Sequence, residues 1–168
     1  MLVSFVFSGS CVNSNVSEVS KNSNNNVLSN KTIGNSKEVK GEVDELLEII
    51  RLPELPEEVV WKEESLGKSD NSTPASTDKK LIAVLRYKPE VAAKVVALVE
   101  KNKTPEQVEV SAENWFPEEL IAQAQLSGNE SLKGKAYGAN DFFNIPYGSG
   151  RITRIEGTDY FILELSAT

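Results

Sequence analysis

The sequence predicts an α+β fold: a small antiparallel sheet of about four to five strands, with two helices packed on one face and a disordered N-terminal tail ahead of it. Three observations lead there. Residues 80–87 hold an unbroken apolar run from Leu81 to Leu85, the pattern of a strand buried on both sides. Residues 151–165 alternate around Gly157-Thr158, which is two-residue hairpin chemistry with Gly at the first central position. Between these strands lie two stretches with helical apolar spacing, each opened by a proline at position 89 or 117.

Taken in order, the chain divides into 1–41, 42–57 and 58–168. Residues 11–37 contain eight Asn and six Ser, with Val16, Val19, Val27 and Leu28 at no regular period. Such a stretch cannot bury enough apolar surface to offset a backbone ordering cost of roughly 1–2 kcal/mol per residue, so a disordered tether is expected. Residues 42–64 carry nine acids against Arg51 and Lys62. Within this acidic connecting segment, Val43, Leu46, Leu47 and Ile50 have helical spacing over about ten residues, and Pro53 and Pro56 end the run. A helix that short is marginal alone, so it either docks on the domain or stays nascent.

The domain opens with a strand at 58–65, which pairs with 80–87 as an antiparallel hairpin across the polar loop 67–79. Pro89 to Lys101 reads as a helix with Val91, Ala92, Val95, Val96, Leu98 and Val99 on a broad apolar face. Gln107 to Val110 is a short strand. A second helix spans 117–125, anchored by Trp115 and Phe116 and closed at Ser127-Gly128. Residues 132–147 interleave Gly with aromatics, the composition of a bulged strand followed by an exposed loop. On the final hairpin one strand turns Ile152 and Ile155 to the core, and Tyr160 to Leu165 form a deeply buried strand that completes the sheet.

The chain has 18 basic and 25 acidic residues, a formal charge of −7, one Cys and no His. Without His there is no Ser-His-Asp or Cys-His nucleophile pair and no His-ligated zinc; a single Cys permits no internal disulfide framework. No calcium-loop spacing, phosphate-cradling glycine loop or dinucleotide fingerprint occurs, so no metal and no cofactor is expected. The acidic stretch repels phosphate backbones and no basic stripe offsets it, so nucleic acid is not an expected partner. Carboxylate catalysis would have to draw on Glu118, Glu119, Asp141 and Glu156, which nothing in the sequence brings together. Asp141, in Ala139-Asn-Asp-Phe-Phe, reads better as a turn former than as a shifted acid.

The first ten residues form a short apolar run ending Ser8-Gly9-Ser10, followed by Cys11. This start resembles the end of a bacterial lipoprotein signal peptide, with Ser8 standing where that family carries an aliphatic residue. The resemblance implies that Ser8, Gly9 and Ser10 precede the cleavage site and that Cys11 is lipidated as the membrane anchor. It places the protein at the cell envelope, lipid-anchored or secreted, with the tether holding the domain off the membrane. The candidate binding surface combines Tyr137, Asp141, Tyr147, Arg151 and Arg154, since aromatics with Arg make interaction hot spots. The sequence thus reads as an envelope-tethered interaction module without catalytic activity, binding an unknown protein or glycan. A small-molecule or carbohydrate-binding lipoprotein is the alternative, and a carboxylate-based hydrolase the second alternative.

Overall fold

The computed structural model describes residues 38–65, 79–102 and 104–167. The expectations for Cys11, the lipoprotein-like start, most of the tether and residues 67–78 of the polar loop lie outside the described residues. The elements are α1 (Val43–Leu47), β1 (Glu58–Ser65), β2 (Lys79–Arg86), α2 (Pro89–Val99), β3 (Glu106–Ser111), α3 (Glu118–Ser127), β4 (Ser131–Gly138), a 3₁₀ turn (Asn140–Phe142), β5 (Tyr147–Ile155) and β6 (Tyr160–Ala167). The strands form one mixed-connection sheet in the order β1-β2-β6-β5-β4-β3, antiparallel at every step. Six strands therefore stand where about four to five were expected. The weakest signals were β3, with only Val108 and Val110 apolar, and the glycine-interrupted β4.

The apolar run of β2 explains the layering. Successive side chains of a strand point to opposite faces, so five buried residues in a row require cover on both. Leu81, Ala83 and Leu85 join Phe161, Leu163 and Leu165 of β6 in one core, beneath Ala92, Val95 and Val99 of α2. Ile82 and Val84 join Tyr160 and Ile162 in a second core, beneath Phe116, Leu120 and Ala124 at α3. The two helices therefore pack on opposite faces, which corrects the expectation of two helices on one face. Ile152 and Ile155 divide in the same way: three residues apart on a strand, they enter different cores.

The acidic segment is part of the folded body. Leu46 and Ile50 are completely buried in the α2-side core, each contributing roughly 1.5–3 kcal/mol of burial. The Trp61 indole N–H donates to the Glu42 carbonyl at 3.3 Å, and Lys40 and Trp61 exchange two backbone hydrogen bonds of 2.8 Å. A helix of five residues without a capping side chain is held here by packing.

Two glycines are required by geometry. Gly128 ends α3 at φ +78°, its N–H donating to the Gln125 carbonyl at 3.1 Å. Gly150 lets β5 run against β6, because a Cβ there would lie 2.2 Å from the Glu164 carbonyl oxygen. That approach turns residues 147–150, expected as exposed loop, into the start of β5, with the bulge between Tyr147 and Ser149.

Candidate functional site

A groove of about 460 Å³ opens where the end of α2 leaves the sheet uncovered. Val96 of α2 and Glu100, which caps its C-terminus, form one wall and the turn at residues 155–159 the other; Lys135 and Tyr137 of β4 and Arg154 of β5 make the floor. Alternation along β4 puts Lys135 and Tyr137 on the α2 side, and the register sets Arg154 directly opposite Lys135 and Ile152 opposite Tyr137. The Arg154 guanidinium lies 5.9 Å from the centroid of the buried Phe161 ring, and its Nη2 sits 3.4 Å from Asp159 Oδ1. Burial raises the Tyr137 hydroxyl above its ordinary pKa, and the nearby Glu100 carboxylate pushes the same way. The turn is held by Thr158, whose hydroxyl donates to the Ile155 carbonyl at 3.0 Å and accepts the Tyr160 N–H at 3.1 Å.

Of the residues singled out in the sequence, Tyr137 and Arg154 meet in this groove, and the other three lie elsewhere. Tyr147 is buried at the start of β5, with its hydroxyl donating to Glu63. Burial, then the Glu63 carboxylate, raises that phenol's pKa. Asp141 is half-buried in the 3₁₀ turn and accepts from the Asn102 amide at 2.8 Å. Arg151 projects from the opposite face of β5, where its Nε donates to Glu164 at 2.6 Å and Lys80 reaches the other Glu164 oxygen at 3.1 Å. These three side chains border a second hollow of about 280 Å³ on the α3 side, beside Glu113 and Phe116. Burial pushes the Glu164 carboxyl up, but hydrogen bonds from Arg151 and Lys80 outweigh it and hold the group below its ordinary value.

Lys135, Glu100 and Thr158 were missed. The spacing Lys133-x-Lys135-x-Tyr137 carried a usable signal, a strand face bearing cations and an aromatic, but only the register reveals Arg154 opposite Lys135. The four acids considered for catalysis are distributed over three places: Glu118 and Glu119 on α3, Asp141 in the 3₁₀ turn, and Glu156 at the β5–β6 turn. Among the described residues no three His, Cys, Asp or Glu side chains are grouped to hold a metal ion. None of the described helices is long and apolar enough to cross a membrane. Comparison with protein-family models, curated proteins and solved structures finds no match to this chain.

Proposed function

We propose that the protein is a non-catalytic interaction module held at the cell envelope by a lipid on Cys11, and that it engages its partner in the groove between α2 and β4–β5. The observation that carries the binding part is the convergence of Tyr137, Lys135 and Arg154 on one concave floor beside an apolar wall. The anchoring part is supported by the sequence alone, through the small residues before Cys11 and the Asn/Ser-rich stretch after it. Mass spectrometry of the protein from its native membrane fraction tests anchoring, with a diacylated N-terminal Cys11 expected and an unprocessed Met1 terminus opposing it. A photo-reactive residue at position 158 tests binding when compared with one at 126, on exposed Leu126 of α3. Adducts confined to position 158 are expected; equal labelling at both positions would reject the groove.

A small-molecule or carbohydrate ligand is the second reading, and the groove's size favours it, since such sites usually enclose about 300–1,000 Å³. Hydrolysis by paired carboxylates is the weaker reading because Asp141, Glu156 and the α3 acids belong to separate elements.

A further inference from the structure

Cross-strand neighbours on the α2-side face reveal two like charges set opposite each other. Lys133 lies opposite Glu109 on one side, and on the other the Glu156 N–H donates to its carbonyl, so glutamates flank it on both strands. Lys135, two residues on and on the same face, lies between Gln107 and Arg154. A neutral amide and a second cation are its direct neighbours, and like charges opposite each other destabilise a sheet. Asp159 takes the Arg154 guanidinium, whereas Lys135 has no ion-pair or hydrogen-bond partner among the described residues. This opposed pair forms the floor of the larger groove.

We propose that Lys135 and Arg154 together bind the carboxylate of a small organic acid, whose apolar part rests against Val96 in the groove. The proposal rests on the second, small-molecule reading of the groove above and names its ligand class. A carboxylate placed between ammonium and guanidinium turns a repulsive pair into a bridged triad of charge-assisted hydrogen bonds. Arg154 is preset for this by the Phe161 ring beneath it and by Asp159 beside it. Glu100, Glu156 and Asp159 ring the two cations with three carboxylates, which oppose a multiply charged anion more strongly than a monoanion.

The test is a titration of the ¹⁵N-labelled full chain with benzoate, with benzamide as its uncharged counterpart and with inorganic phosphate. Saturable shifts in the Lys135, Arg154 and Thr158 amides are expected with benzoate, and binding at least about tenfold weaker with benzamide and with phosphate. Lys135→Gln should weaken benzoate about tenfold or more, while Lys133→Gln should leave it within about twofold. Without ligand, Lys135→Gln should raise Tm by about 2 °C, because it removes a repulsion. No saturable response to benzoate would overturn the proposal, as would equal losses in the two lysine variants or a lower Tm for Lys135→Gln. Benzamide binding as tightly as benzoate would overturn the carboxylate assignment while keeping the groove as a ligand site, and equal binding of phosphate would overturn the preference for a single charge. Failure of the wider binding reading shows separately, as unspecific labelling at position 158.

Discussion

Thr153 is fully buried in the middle of β5, and its hydroxyl has no hydrogen-bond partner; the same holds for the Tyr87 hydroxyl inside the α2-side core. A buried donor left unmatched costs about 1–3 kcal/mol. Thr153→Val keeps the shape and the β-branching and removes the orphan, so it should raise unfolding stability by about 1 kcal/mol in urea titrations. A less stable variant would mean that the hydroxyl is satisfied in solution. Glu164 is the reverse case, a carboxylate held charged by Arg151 and Lys80. Its folded pKa lies below the ordinary value of 4.5, so its contribution is complete above that value and is lost as pH falls through the lower folded one. Glu164→Gln should therefore cost about 1 kcal/mol near pH 7, and the difference from the parent should shrink below about pH 4.5. A gap independent of pH would show that charge is not its source. None of these residues could be ranked from sequence, because burial and partners on neighbouring strands set their energetics.

At the scale of elements, hydrophobic period located nearly all of the described strands and helices. Leu81–Leu85, the face of α2 and the Gly157-Thr158 turn each state their structure locally. The docking of α1 is different, since its ten-residue signal fits an attached or a nascent helix equally well. Its buried Leu46 decides the matter: Leu46→Ala should destabilise the whole domain by about 2–5 kcal/mol, as a core truncation does. An unchanged urea midpoint would return residues 42–57 to the status of a connecting segment. The start of β5 was illegible for a related reason. Gly148 and Gly150 read as loop residues, but Gly150 is glycine because the Glu164 backbone passes within contact distance. Gly150→Ala should cost about 2–3 kcal/mol, measured by the same titration, because the added methyl would meet the Glu164 and Leu165 backbone, which cannot yield as the neighbouring Leu165 side chain can.

For the molecule as a whole, β6 is the keystone. It pairs with β2 on one side and β5 on the other, joining the β1–β2 hairpin to the β5–β4–β3 meander, and supplies Phe161, Leu163 and Leu165 to one core and Tyr160 and Ile162 to the other. A chain ending at Gly157 should show no cooperative thermal transition by circular dichroism, whereas a retained transition would mean that the meander or hairpin folds alone. The position of β6 also places the candidate site. The crossover through α2 carries the chain from β2 to the far edge at β3, and the end of that helix leaves the β4–β5 floor open.

By itself the sequence determined the local states of most of the described elements, the α+β class, and the depth of burial of β2 and β6, because period and turn chemistry act over a few neighbouring residues. It also contained the evidence for two covered faces, since an unbroken apolar run cannot be half exposed. Only the tertiary structure decided that α2 and α3 take opposite faces, that α1 belongs to the core, and that Lys135 meets Arg154 across a strand pair while Arg151 is turned away. Those outcomes depend on register and on which distant segments share a face, and a side chain's distant neighbours exert no pattern on the residues beside it.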